Sequence, residues 1–323
     1  MSSVALEVRD LRTSFFSEAG EVKAVDGVSF RLEKGKALGV VGESGSGKSV
    51  MALSIARLVD RPGRIVGGEV LLEGENLLQL SNRRMRDIRG SRIAMIFQEP
   101  MTALNPVLRV GAQIAEAALA HERVGRREAW DRAVEAMRSV AIPDPERRAR
   151  DYPHQLSGGM RQRVMIAMAL AMKPSVLIAD EPTTALDVTI QAGILELLDD
   201  LRRRYNLALI FISHDLGVIA EVADDVMVMY AGKIVEYGSV NDVFQAPRHP
   251  YTQALIRSVP RLGRSALGAK RLDTIEGMTP DLLRLPRGCA FAPRCAGRTG
   301  ECEVSPVPMK SIGASHHARC VHV

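Results

Sequence analysis

Apolar and polar positions alternate over Val4 to Val8, Val28 to Leu32 and Glu69 to Leu72, with Gly, Glu and Lys turns between them. A period of two predicts short strands in a small antiparallel sheet at the N-terminus. The pattern then changes. Ala37 to Gly42 is a nearly unbroken apolar run that ends in a glycine-rich loop, and Lys48 to Leu58 has helical character. Ile93 to Phe97, Ser175 to Ala179 and Leu207 to Ile212 are further unbroken apolar runs, and a helical stretch, Val188 to Arg203, follows the second. Runs without a polar alternate suit a parallel sheet covered on both faces, so the expected fold class is α/β. Val110 to Val140 and Met160 to Met172, rich in Ala, Arg, Glu, Met and Leu, predict an inserted helical subdomain at about residues 101–172. Asp225 to Tyr230 and Lys233 to Tyr237, joined by Ala231 and Gly232, predict a hairpin.

Length and charge refine this picture. At 323 residues the chain has room for about two domains. The net charge of +5 is too small to predict a nucleic-acid partner, but it is unevenly spread. Residues 246–323 carry 12 Lys/Arg against 5 Asp/Glu, eight of the sixteen prolines and all four cysteines. That shift predicts a first domain over residues 1–245 and a separate C-terminal extension over 246–323. The longest apolar run, Val164 to Met172, is far short of the ~18 residues of a membrane-spanning helix. Met1 to Arg12 has no apolar targeting core, and a cytosolic location is expected.

Candidate chemistry begins at Gly42 to Ser49, which fits G-x-x-x-x-G-K-[ST]. Glycines let the backbone wrap so that successive N–H groups converge on phosphate oxygens at the positive end of the following helix. Lys48 would neutralise the outer phosphates, and Ser49 would offer a hydroxyl to Mg²⁺. Val176 to Ala179 then delivers Asp180 and Glu181 at the end of an apolar strand, where open α/β sheets bind their ligands. Asp180 suits Mg²⁺ and Glu181 a general base. On a strand, adjacent side chains point to opposite faces, so the two carboxylates are expected to have separate jobs. Leu156 to Arg163 carries Ser157 as an N-cap before a glycine pair and a helix whose head would also bind an anion.

Gly42 to Ser49, Leu156 to Arg163 and Asp180-Glu181, in this order, resemble the nucleotide-binding subunits of ABC transporters, a P-loop NTPase fold. Gln98 looks like that family's Q-loop residue, Ala185 to Asp187 its D-loop, and His214 its switch histidine. Phe15 or Phe16 stands where the family places an aromatic against adenine. The resemblance implies that Gly42, Ser44, Gly45, Gly47, Lys48 and Ser49 bind ATP, with Ser49, Gln98 and Asp180 around Mg²⁺. Gln98, Glu181 and His214 would surround the attacking water. It also implies a head-to-tail dimer in which Ser157 and Gly159 of one subunit reach the nucleotide of the other. A narrower likeness, in Phe97 to Pro106, Tyr152 to Leu156 and His249 to Ala254, is to the ATPases of oligopeptide and dipeptide importers. It implies a motor at the cytoplasmic face of the membrane, working with a second ATPase subunit, identical or related, with two permease subunits, and indirectly with a peptide-binding protein. A soluble ATPase acting on ribosomes or DNA is the competing expectation, and a non-hydrolysing regulator the third.

The cysteines of the tail, Cys289, Cys295, Cys302 and Cys320, are spaced C-x5-C-x6-C-x17-C. In a reducing compartment metal binding is a better reading than disulfides. Importer ATPases carry similar cysteines, and the resemblance implies a [4Fe-4S] cluster. Zinc and free buried thiols stay open as alternatives, the first because His316, His317 and His322 crowd Cys320. Arg287, Arg294, Arg298 and Arg319 are expected to offset the negative charge of four thiolates around a metal.

Overall fold

The computed structural model describes residues 3–98, 103–184, 186–258 and 275–323. The strands in chain order are β1 (Val4–Ser17), β2 (Gly20–Glu33), β3 (Ala37–Val41), β4 (Gly63–Leu72), β5 (Glu75–Asn76), β6 (Ile93–Ile96), β7 (Val176–Asp180), β8 (Ala208–Ile212), β9 (Asp225–Tyr230), β10 (Lys233–Ser239), β11 (Lys310–Ser311) and β12 (His317–Ala318). β1, β2, β4 and β5 make the antiparallel N-terminal sheet, in the order β2-β1-β4-β5.

Three strands of this sheet are much longer than the alternation predicts. β1 and β2 run 14 residues each and β4 runs 10. Three irregularities hide them. Asp10 in β1 has φ +46, Gly27 in β2 has φ +79 and Gly68 in β4 has φ +95. These are bulge-like positions that shift the inward and outward faces, so a strict period of two stops or starts there. The Asp10 N–H donates to Ser29 Oγ (2.8 Å), which ties the irregular stretch across the pair.

The chain divides into two compact units. One comprises Met1–Glu7, Arg31–Lys36 and Leu71–Ile212. In it β6, β7 and β8 are parallel, with Ile93 opposite Val176 and Ile178 opposite Ile210. Every residue of β7 and β8 is buried, as the unbroken apolar runs require. Helix Val188–Tyr205 starts on Asp187, whose side chain accepts from the Ile190 N–H (2.9 Å), and ends at Asn206 in the left-handed region. Helices Val110–His121, Arg126–Ser139 and Gly158–Leu170 pack against one another inside the predicted helical stretch.

The other unit comprises Val8–Phe30, Ala37–Val70 and Ser213–Val323. Here β3 runs parallel to β9, with Val41 opposite Val228. β9 and β10 form the predicted hairpin through Ala231 (φ +48) and Gly232 (φ +79), the two positive values that a tight two-residue connection demands. The last residues extend this edge: β12 pairs with β10, placing Ala318 opposite Glu236, and β11 pairs with β12. Helix Pro250–Ser258 begins on Pro250, the early position that proline favours. Of the sequence motifs, Glu99 to Thr102 and Ala185 lie outside the described residues.

Candidate functional site

The glycine loop leaves β3 through three residues in the left-handed region, Gly42 (φ +153), Gly45 (φ +77) and Gly47 (φ +101). Two of them have no room for a side chain. A Cβ on Gly42 would lie 2.3 Å from Met229 O, and one on Gly47 2.3 Å from Ala24 O. Gly47 opens helix Lys48–Ile55 without a side-chain cap, so the first-turn N–H groups face the loop as an anion site does. Lys48 is buried, and its ammonium folds back over its own loop, donating to Gly42 O (2.7 Å), Glu43 O (2.9 Å) and Ser46 Oγ (3.3 Å). A cation is therefore held on the loop by two backbone carbonyls and a serine hydroxyl. Ser44 and Ser49 stand on the same loop and helix head. Phe15 is half-buried beside Gly63, and Phe16 is exposed under the Arg64 guanidinium, 5.8 Å from the ring centroid.

The carboxylates belong to the other unit. Asp180 ends β7 and is buried. Glu181 lies beyond the strand with φ +48, so the expectation of two side chains alternating on one strand is corrected: the backbone turns between them. A non-glycine residue held in the left-handed region carries strain, a feature common at reacting sites. Glu181 Oε2 accepts from Gln98 Nε2 (2.8 Å) and from Thr184 Oγ1 (2.9 Å), and the Glu181 N–H donates to Ile212 O (3.0 Å). The structure thus joins Gln98 and Glu181, which are 83 residues apart. Thr184 was not legible as a site residue, since a hydroxyl three positions after a carboxylate is a common turn feature.

In the same unit Ser157 caps helix Gly158–Leu170, accepting from the Met160 N–H (3.3 Å). Gly159 is buried, and a Cβ there would lie 2.9 Å from Ile190 Cγ2. His214 follows β8 and is exposed, one residue before Asp215, which caps helix Leu216–Val222. His214 belongs to the unit of the glycine loop.

All four cysteines, none of them in a disulfide, line one narrow cavity together with His249, Phe291 and His322. The Cys289 N–H donates to Cys302 O (2.7 Å), and Cys302 Sγ lies 3.8 Å from His322 Nε2. Burial pushes the Cys289 and Cys295 thiols up, and the nearby Cys302 and Cys320 push the same way. Among the described residues, no three His, Cys, Asp or Glu are grouped so as to hold a single ion. Of the three histidines near Cys320, only His322 lines the cavity; His316 Nε2 is bonded to buried Glu236 (2.8 Å). Burial, with the charge of Arg319, pushes His249 down to about 3, and its Nδ1 accepts from the Tyr251 N–H (3.1 Å).

The expected arginine screen is corrected at Arg294 alone. Arg294 turns its guanidinium to Glu43 of the glycine loop (2.6 and 3.0 Å). Arg319 donates to Ile234 O and Val307 O, and burial lowers its pKa. Arg294 is thus committed to a carboxylate, while Arg319, hydrogen-bonded to backbone carbonyls, stays within electrostatic reach of Cys289.

A glycine loop at a helix head, with a carboxylate at the end of a buried parallel strand, defines a P-loop NTPase. Residues 25–184 match the ABC transporter family, and residues 235–302 match the oligopeptide/dipeptide transporter C-terminal region. A probable peptide ABC transporter ATP-binding protein of Sinorhizobium fredii is 55% identical, covering 99% of this chain and 95% of that protein. The oligopeptide transport ATP-binding protein OppD of Bacillus subtilis is 52% identical over 97% of this chain and 87% of its own length. The dipeptide transport ATP-binding protein DppD of Haemophilus influenzae is 49% identical over 98% and 94%. Among solved structures, a dimeric ATP-binding cassette in a post-hydrolysis state bound to ADP and Pi superposes with a TM-score of 0.66 at 26% identity, covering 73% of this chain and 98% of that one. The chain belongs to the ABC transporter ATP-binding family, in the branch that carries the oligopeptide/dipeptide C-terminal region. It is an ATPase of the ABC type, which uses ATP with Mg²⁺. No described helix is long and apolar enough to cross a membrane.

Proposed function

We propose that the chain is the ATP-hydrolysing subunit of an importer for dipeptides or oligopeptides, a peripheral protein of the cytoplasmic face of the membrane. The observation that carries this reading is identity of about half, over nearly the whole length, to proteins named for peptide transport. It favours transport over action on ribosomes or DNA. The partners would be a second ATPase subunit and two membrane permease subunits, with a peptide-binding protein acting through them. Residues 1–245 would form the nucleotide-binding domain, with its helical part at about 101–172, and residues 246–323 the extension. The test is co-purification with permease subunits and ATP-driven peptide uptake, against capture with ribosomes or DNA.

At the nucleotide, Gly42, Ser44, Gly45, Gly47 and Lys48 would wrap the phosphates, and Phe15 or Phe16 would meet the adenine. Ser49, Gln98 and Asp180 would hold Mg²⁺, which supplies charge neutralisation of the phosphates. Glu181 would take a proton from the attacking water as its oxygen bonds to the γ-phosphorus and ADP leaves, with His214 and Gln98 orienting that water. Ser157 and Gly159 of a second subunit would close the site. The work would be positioning and electrostatics, supplied by the glycine loop and by a hydrogen-bonded base held in a strained turn.

The reading of a [4Fe-4S] group rests on the donor set: Cys289, Cys295, Cys302 and Cys320 line one cavity, and four thiolates are what such a cluster requires. When bound, the cluster supplies four iron–thiolate bonds, and Cys289, Cys295, Cys302 and Cys320 would hold it. Protein purified without oxygen is expected to show broad visible absorption and about four irons and four sulfides per chain. About one zinc per chain would move the reading to a zinc site, and neither metal would remove it.

A further inference from the structure

Glu43, the second residue of the glycine loop, is held from two sides by residues more than 200 positions away. Its carboxylate receives Arg294 in a two-pronged ion pair, Nη1 to Oε2 at 2.6 Å and Nη2 to Oε1 at 3.0 Å. Its backbone N–H donates to Tyr251 Oη at 2.7 Å. The Arg294 side chain is 5% exposed. Its other contacts are to Glu276 O (2.9 Å), Ile275 O (3.2 Å) and Tyr230 Oη (3.4 Å), so the planar fork is locked in one orientation. Tyr251 is equally constrained. It packs on Tyr230 and Phe291, and the helix that carries it is anchored where buried Glu236 accepts from the Arg248 and His249 N–H groups. Glu43 O in turn is an acceptor for Lys48 Nζ. A continuous chain of bonds therefore runs from the C-terminal segment, through Glu43, to the lysine of the loop.

We propose that Arg294 is a positioning residue for the phosphate loop: its clamp on Glu43 fixes the loop shape that holds Lys48 ready for ATP. This rests on the reading of Gly42 to Ser49 as the ATP loop. Removing Arg294 leaves the half-buried Glu43 carboxylate (23% exposed) without its counter-charge, and the loop then relaxes around it. The cost falls on ground-state binding, before any chemistry. Phe291, which lines the cysteine cavity, packs on Tyr230 and Tyr251 in the same cluster, so the segment bearing the cysteines is built into the support of the loop.

The test is ATP binding and turnover by the full chain carrying Arg294→Ala, Arg294→Lys, Glu43→Gln and the double substitution Arg294→Ala/Glu43→Gln. Arg294→Ala is expected to raise Kd and KM for ATP together by on the order of tenfold, more than it lowers kcat. Arg294→Lys should recover only part of this, since an ammonium cannot copy the fork. The double variant should be no worse than Arg294→Ala alone, the non-additivity of residues in direct contact. A lower thermal midpoint with unchanged Kd, or additive losses in the double variant, would overturn the proposal. Lys48→Ala separates the two readings. If it abolishes ATP binding while Arg294→Ala changes nothing, the clamp fails alone; if the wild type binds no ATP, the loop reading itself has failed.

Discussion

Replacing Glu181 by Gln is expected to lower steady-state ATP turnover by about 10²- to 10³-fold while ATP still binds, the size of effect a positioned general base contributes. The substitution is close to isosteric. Thr184 Oγ1 and Gln98 Nε2 both donate to Glu181 Oε2, and an amide oxygen in its place still accepts them. The turn with φ +48 is no more strained for one side chain than for the other. What the amide cannot do is accept the proton of the attacking water. The residues proposed to hold the phosphates and Mg²⁺, Lys48 and Ser49, are untouched, so nucleotide should accumulate on the protein as ATP rather than ADP. Turnover measured with bound-nucleotide analysis checks this. Turnover equal to wild type would remove Glu181 from the role of base.

The second large effect is expected at Gly47. Gly47→Ala places a methyl 2.3 Å from Ala24 O, a backbone atom that cannot swing aside, at a φ of +101. The strain of a non-glycine residue there is about 1–3 kcal/mol before the overlap is counted. ATP affinity should fall by more than about a hundredfold, which corresponds to roughly 2.7 kcal/mol. The thermal midpoint of the nucleotide-free protein should fall as well. Gly45→Ala is the control. Its φ of +77 is also positive, but a Cβ there meets nothing within 4 Å. Its nucleotide-free midpoint should fall by less than that of Gly47→Ala, since the strain of a positive φ remains but the overlap does not. Equal loss of thermal stability in the two variants would show that close packing of Gly47 on Ala24 is not what shapes the loop.

These two sites differ in how far the sequence announces them. The glycine loop is legible because its chemistry is local: glycines, lysine and serine act within eight residues, between a buried strand and a helix. β7 and β8 are legible for a similar reason, since complete burial leaves an unbroken apolar run. The hairpin at Ala231 and Gly232 needs only a two-residue rule. Long-range contacts carry no such mark. Gln98 meets Glu181 across 83 residues, and Arg294 meets Glu43 across 251. Nothing in the spacing of either pair distinguishes it from two charged or polar residues on separate surfaces.

Arg294 is the instructive failure. Next to Cys295 it reads as a counter-charge for thiolates, because proximity along the chain is the only proximity a sequence displays. The fold turns it away, toward a carboxylate in the loop. The lengths of β1, β2 and β4 failed for a different reason. Asp10, Gly27 and Gly68 interrupt the alternation with positive-φ residues, and a pattern with period two cannot be followed through a bulge.

The central claim is that this ATPase drives peptides across a membrane. Its most direct test is uptake of a labelled dipeptide or short oligopeptide into proteoliposomes holding the permease subunits that co-purify with the chain, with peptide-binding protein on the side from which peptide is taken up. Uptake that needs ATP on the side of the chain, and that disappears with Glu181→Gln, is the predicted result. ATP hydrolysis without peptide movement in that complete assembly, or uptake unaffected by Glu181→Gln, would contradict the account.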